Sequence, residues 1–169
     1  LFRGIVDNFP DYSNADGSLY MLGWLYNRPD GNLHDPTRGS EAYLRLLKRY
    51  PESDFSAAAH AALGDHYFEN YQIKEAIVHY QRVVELHEPD GRHYERGLFG
   101  LAWAYYKHNR FSESQQLLVK LLDWSEESKL RSGRRSGVHE EAEEYLAISF
   151  NAQADAGSGG DGAVSTGPS

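Results

Sequence analysis

An internal repeat constrains this chain more than any other feature of its sequence. Leu63-Gly64-Asp65-His66-Tyr67-Phe68 aligns with Leu101-Ala102-Trp103-Ala104-Tyr105-Tyr106, an offset of 38 residues. The match continues at helical spacing, where Ile73, Ala76, Tyr80, Val83 and Val84 align with Phe111, Ser114, Leu118, Leu121 and Leu122. A fixed period of this size is the signature of a repeat architecture. Repeat arrays work through a surface that several units build together, so a single catalytic pocket is not expected.

The spacing of the apolar residues predicts an all-α fold made of paired helices. In the second copy, the first helix is expected at about 57–70 and the second at about 74–88. The expected buried stripe consists of Leu63, Tyr67, Ile73 and Tyr80, with the small residues Gly64 and Ala76 where the two helices approach each other.

The second copy resembles the tetratricopeptide repeat, a helix-turn-helix unit of 34 residues. The residues that carry this resemblance are His60, Leu63, Gly64, Tyr67, Ala76, Tyr80 and Val83, followed by Pro89. The resemblance implies a right-handed superhelical solenoid of antiparallel helix pairs.

Other parts of the chain follow the same pattern with insertions. Gly23 to Ala42 spans 19 residues, against 12 from Gly64 to Ala76, so seven extra residues separate the helices of the first repeat. We expect a repeat array over residues 1–151 that forms part of a longer array. It comprises a half repeat at 1–12, repeats at about 16–51, 57–89 and 95–124, and a half repeat at 140–151, before a flexible Gly/Ser-rich tail at 152–169.

The resemblance also implies a binding surface, because tetratricopeptide arrays bind partners on a concave face lined by the first helix of each repeat. The positions that correspond to this face are Tyr20, Trp24, Asn27 and Arg28 in the first repeat, Asp65, Phe68 and Glu69 in the second, and Arg96, Phe99, Trp103, Tyr106 and Lys107 in the third.

Trp24 and Trp103 occupy equivalent positions where the family usually has small polar residues. Two interpretations stay open: they are anchors of a groove for an extended or helical peptide, or they only pack between adjacent repeats. Asn27 and Arg28 partly resemble the clamp with which some family members hold a terminal carboxylate. Asp65 and Glu69 would repel such a group, so that ligand is not expected.

Motifs that would indicate catalysis or a cofactor are weak. Segment 157–162 matches the glycine pattern of dinucleotide sites, but it lies in low-complexity sequence without the required strand and helix. The eight histidines lack metal-site spacing, and cysteine is absent. The glutamates of segment 140–144 fit a solvated helix face. We therefore expect no enzyme activity, no cofactor and no metal.

Charge and hydropathy narrow the set of partners. The net charge of -8 argues against nucleic acid and anionic membrane surfaces, and no apolar run reaches the length of a transmembrane helix. The basic residues of segment 129–135 are expected in a mobile loop, with a contact to an acidic partner or a phosphate as the alternative.

We thus expect a non-catalytic scaffold that binds a protein or peptide in the concave groove, within a multiprotein complex. Segments 49–53 and 8–12 resemble the junctions of bacterial cell-envelope repeat proteins, which favours a periplasmic or envelope location over a cytoplasmic one. Two alternatives are a structural assembly subunit that self-associates through its open repeat ends, and the non-catalytic part of a larger enzyme.

Overall fold

The structure, a computed structural model, describes residues 2–8, 12–86 and 92–158. These residues are helical throughout, with short connections and no β-strand among them, so the fold is all-α. The helices in chain order are α1 (Phe2–Asn8), α2 (Ala15–Asn27), α3 (Pro36–Arg49), α4 (Ser56–Glu69), α5 (Ile73–Leu86), α6 (Arg92–Lys107), α7 (Phe111–Ser132) and α8 (His139–Ser158).

Neighbouring helices in the sequence pack against each other, which is the arrangement of a helical repeat. The contacts join α1 with α2, α2 with α3, α3 with α4, α4 with α5, and α7 with α8. The chain divides into two compact units, and the boundary falls between Gly100 and Leu101, inside α6.

The apolar residues that align at an offset of 38 form the core in both copies. The aligned pairs in which both residues are buried include Leu63 and Leu101, Gly64 and Ala102, Ala76 and Ser114, Tyr80 and Leu118, and Val83 and Leu121. The prediction of the buried stripe is confirmed for Leu63 and Tyr80, whereas Tyr67 and Ile73 are only partly buried.

The turns between helices repeat as closely as the helices do. Tyr71 and Asn109, also 38 residues apart, both have a φ of 59°. Gln72 N–H donates to the Tyr67 carbonyl at 2.9 Å, and Arg110 N–H donates to the Tyr105 carbonyl at the same distance. Such a bond, next to a residue in the left-handed region, closes a helix end and satisfies carbonyls that the helix leaves unpaired.

The insertion between α2 and α3 ends at Asp35 and Pro36, residue types that are typical of a helix start. Asp35 caps α3, because its carboxylate accepts the backbone N–H of Arg38 at 3.1 Å. Pro36 follows as the first helical residue, a position where a missing N–H costs nothing.

Two helices run further than expected. α7 continues to Ser132, so Lys129 and Arg131 lie in its last turn and not in a loop. The reason is that segment 125–132 contains the helix formers Glu126, Glu127, Lys129, Leu130 and Arg131, and the first helix-breaking residue is Gly133, in the left-handed region at φ 73°.

α8 likewise continues to Ser158, so the first seven residues of the expected tail, 152–158, are helical. Alternating alanines and a glutamine favour the helix there. Residues 159–169, and Pro89 of the repeat pattern, lie outside the described residues. No helix in the described ranges is both long and apolar enough to cross a bilayer.

Candidate functional site

The expected binding surface begins at the end of α2, where Trp24 and the C-cap residue Arg28 face solvent. The Trp24 side chain is 42% exposed. The Arg28 guanidinium lies over its ring, 5.0 Å from the ring centroid, in a cation–π arrangement. Arg28 also donates a hydrogen bond of 3.1 Å to the exposed carboxylate of Asp30. This pair combines a large apolar surface with a charge and could bind a partner.

Tyr20 and Asn27 on the same helix contact neighbouring helices instead. The Tyr20 ring stacks on Phe55 with centroids 4.9 Å apart and packs tilted against Tyr43 at 5.8 Å. The Asn27 amide lies against Gly39, where an added Cβ would come within 2.6 Å of its oxygen. Burial raises the pKa of Tyr43 to about 12, opposed by its hydrogen bond with Asn27. Two of the four expected binding positions of the first repeat, Tyr20 and Asn27, therefore hold the helices together.

Asp65 joins three helices of the first unit. The Tyr80 hydroxyl of α5 donates to the Asp65 carboxylate at 2.6 Å, and the Arg96 guanidinium of α6 forms an ion pair with the same carboxylate. The carboxylate is thus neutralised from two sides. Asp65 and Arg96 lie on the expected surface, but their charges are engaged with each other.

The other positions in the first unit differ in exposure. Phe68 and Phe99 are partly buried, and Glu69 is exposed near the end of α4. Burial is the main cause that raises the pKa of Tyr80 above its ordinary value, and the negative charge of Glu69 adds to it.

In the second unit, Trp103 packs between aromatic side chains of two helices. Its ring meets Tyr106 of α6 at 5.7 Å and Tyr145 of α8 at 4.3 Å, both edge to face. Tyr106 in turn contacts Phe111 at 5.5 Å. The Lys107 ammonium lies 5.3 Å from the Trp103 ring centroid. The packing interpretation therefore describes Trp103 well, whereas Trp24 keeps its ring accessible.

A pair of histidines was missed as a functional feature of the sequence. His60 of α4 and His79 of α5 bring their Nδ1 atoms within 2.9 Å, and both line a cleft of about 600 Å³. Burial, followed by the neighbouring imidazole of His79 and the charge of Arg82, lowers the pKa of His60 to about 4, against the charge of Glu85. Burial also lowers the pKa of His79. The sequence feature that could have revealed the pair is that His60 and His79 lie on the facing sides of the two helices predicted for one repeat.

A serine–histidine–glutamate arrangement between α7 and α8 was also missed. His139 Nδ1 lies 2.9 Å from the Ser125 hydroxyl oxygen, and its Nε2 lies 3.6 Å from Glu126 and 3.5 Å from Glu143. These residue types resemble a nucleophilic triad, but Ser125 is fully buried and its oxygen accepts the backbone N–H of Ser136 at 3.0 Å. The arrangement therefore fixes the connection between the helices and does not present a nucleophile.

Comparison with known protein families finds no family that matches this chain, and comparison with curated proteins finds no match either.

Proposed function

We propose that this chain is a tetratricopeptide-like solenoid that binds a protein or peptide without catalysing a reaction. The observation that carries the proposal is the exposed Trp24 ring with Arg28 over it, at a position that the family resemblance assigns to the binding face. Aromatic and Arg side chains are the usual anchors of protein interfaces. The internal repeat, with its copied turns and buried stripe, supports the repeat architecture.

The proposed partner is a segment that places an apolar or aromatic side chain against the Trp24 ring. Tyr71→Asn serves as the matched control, because Tyr71 is an aromatic residue that is 90% exposed but lies in the α4–α5 turn. The experiment selects peptides from a displayed library on the immobilised chain. It then measures their affinity by fluorescence anisotropy for the parent, Trp24→Ala and Tyr71→Asn.

The proposal expects Trp24→Ala to weaken binding at least tenfold and Tyr71→Asn to leave it within twofold of the parent. Circular dichroism verifies that all three proteins are equally helical. Equal affinity for the parent and Trp24→Ala, or loss of binding in both variants, would contradict a binding face on α2.

A second candidate function is assembly through an open end of the array. It is favoured by α8, which leaves Phe150 56% and Ile148 37% exposed. Light scattering after size exclusion, over a hundredfold range of protein concentration, tests it. Growth in mass that Phe150→Ser abolishes supports assembly, and a constant monomer mass refutes it.

The proposal includes a place in a cell-envelope complex, supported by the junctions at 49–53 and 8–12. The identity of a cellular protein that the parent chain captures in a pull-down and that Trp24→Ala does not capture tests this part. An envelope protein would support the location, and a cytoplasmic one would contradict it.

A further inference from the structure

His60 and His79 converge from two different helices on one point. Their Nδ1 atoms lie 2.9 Å apart, their ring centroids lie 5.1 Å apart and the ring planes differ by 41°. Tyr67 stacks on the His79 ring with centroids 5.3 Å apart and planes at 13°. The helix pair therefore holds both imidazoles in place, and one of them is supported by an aromatic face.

The pair is neutral at physiological pH. Burial lowers the pKa of both rings, that of His60 to about 4. One Nδ1 must then carry a proton and donate to the other, which accepts with its lone pair. The neutral imidazole is also the form that binds metal ions, so no bound proton has to be displaced from an imidazolium.

The separation of the two nitrogens matches a known chelate geometry. Two metal–nitrogen bonds of about 2.0–2.1 Å that meet at a right angle place their nitrogens about 2.9 Å apart. A tetrahedral ion would require about 3.4 Å. Tetragonal coordination is typical of Cu²⁺ and Ni²⁺ with nitrogen and oxygen ligands. We propose that His60 and His79 form a two-imidazole binding site for a divalent late transition-metal ion, Cu²⁺ or Ni²⁺.

The cleft gives such an ion access and completes its coordination shell. Within the described residues no group of three or more His, Asp or Glu side chains is arranged to hold a metal, so water fills the remaining positions. The carboxylates of Glu52 and Glu85 line the same cleft and offset the positive charges of its basic residues. Lys48 and Arg82 also line it, but Arg82 is paired with Glu85 at 2.7 Å.

Binding replaces the shared proton with the metal. The donor ring loses its Nδ1 proton to water and takes up a proton at Nε2, so both rings end as neutral Nε2–H tautomers. No net proton is released, and each Nδ1 lone pair turns from the N···N line of the hydrogen bond toward the ion, by about 45° for two bonds that meet at a right angle. The affinity should consequently change little between pH 6.5 and 8.

Calorimetric titration of the chelator-treated chain with Ni²⁺ tests the site. The parent should bind one ion per chain with micromolar affinity, and His60→Gln and His79→Gln should each bind at least tenfold more weakly. His34→Gln removes an exposed histidine from the α2–α3 connection and should bind within twofold of the parent. Unchanged affinity in either cleft variant, or no binding by the parent, would overturn the proposal.

Pulsed electron paramagnetic resonance of the parent with one equivalent of Cu²⁺ provides a readout that needs no variant. Two coordinated imidazoles per copper, in a tetragonal environment, are the expected result. A spectrum with one imidazole, or with none, overturns the chelate even if the substituted chains do not fold.

Discussion

At the residue scale, the two copies of the helix-turn-helix unit carry different residues at some aligned positions. Each copy therefore suggests a substitution for the other. Tyr71 and Asn109 occupy the same left-handed turn position with the same φ. This conformation brings the Cβ of an L-residue close to the backbone, and Asn tolerates it better than Tyr. Tyr71 is almost fully exposed, so its ring has little packing to lose.

We therefore expect Tyr71→Asn to raise the free energy of unfolding by about 0.5–1 kcal/mol and Asn109→Tyr to lower it by a similar amount. Urea denaturation followed by circular dichroism measures both. The reciprocal pair is its own control, because the effects should have opposite signs. Destabilisation by both substitutions would show that Tyr71 makes a contact that outweighs its strained backbone.

Ser114 is a second position at which the aligned residue of the other copy suggests a stabilising substitution. Its hydroxyl is buried and has no hydrogen-bond partner among the described residues, whereas the aligned residue of the earlier copy is Ala76. A buried polar group without a partner costs about 1–3 kcal/mol, and Ala is also the better helix former.

Ser114→Ala should accordingly increase the free energy of unfolding by about 1 kcal/mol, measured by chemical denaturation. Ser112→Ala is a suitable comparison in the same helix, because Ser112 is exposed and accepts a hydrogen bond from Gln153. A loss of stability in Ser114→Ala would mean that the hydroxyl is satisfied by a buried water.

At the element scale, the distance between helices depends on glycines that accept an aromatic ring. A Cβ on Gly64 of α4 or on Gly100 of α6 would come within 2.5 Å of the Tyr80 ring of α5. In the next copy the residues that align with Gly64 and Tyr80 are Ala102 and Leu118, both buried. Where the first copy pairs Gly64 with the large Tyr80 ring, the second copy pairs the larger Ala102 with the smaller Leu118.

Gly64→Ala should lower the free energy of unfolding by about 1–2 kcal/mol, because overpacking outweighs the gain in helix propensity. Adding Tyr80→Leu should recover part of that loss, and a double-mutant cycle measures the coupling. Strict additivity of the two substitutions would argue against a tight contact. Gly4→Ala is the control, since nothing lies within 4 Å of its added Cβ.

Helix positions follow from the sequence because apolar spacing and local turn signals determine them. Asp35 and Pro36 mark the start of α3, and the repeated turn marks the ends of α4 and α6. The ends of α7 and α8 were less predictable, since helix propensity continued past the repeat pattern until Gly133 in one case. The spacing of apolar residues therefore predicts that a helix exists, but it does not predict the residue at which the helix ends.

The environment of each site residue was harder to predict than the helices. Trp24 and Trp103 are equivalent in the alignment, yet Trp103 meets the Tyr145 ring of a later helix, whereas Trp24 is 42% exposed. Likewise, the contact between His60 and His79 depends on how two helices are rotated against each other. Such contacts are long-range, and a repeat alignment carries no information about them.

At the scale of the whole molecule, the histidine pair links global stability to pH. The unfolded chain binds protons at His60 with the ordinary pKa of about 6.5, whereas the folded chain binds them only near pH 4. Between these values the unfolded state holds more protons, so stability falls as the pH falls. The contribution of this neutral pair is fully present above pH 6.5 and is lost progressively toward pH 4.

We expect about 1–3 kcal/mol of unfolding free energy to be lost between pH 6.5 and 4 in the presence of a chelator, after allowance for the partial exposure of the pair. Denaturation at a series of pH values measures the slope. His60→Gln should flatten it, whereas His34→Gln should leave it as in the parent. A slope that both variants share with the parent would assign the effect to other groups.

The Tyr80 ring, held between Gly64 and Gly100, also reports on motion. A tyrosine ring turns over about its axis only when its surroundings move aside, and in this position two helix backbones would have to separate first. The two edges of the ring should therefore give separate proton resonances at room temperature, in contrast to the averaged signals of the exposed Tyr71. The temperature at which these two sets of resonances coalesce would measure how often the helices around Tyr80 separate far enough for the ring to turn.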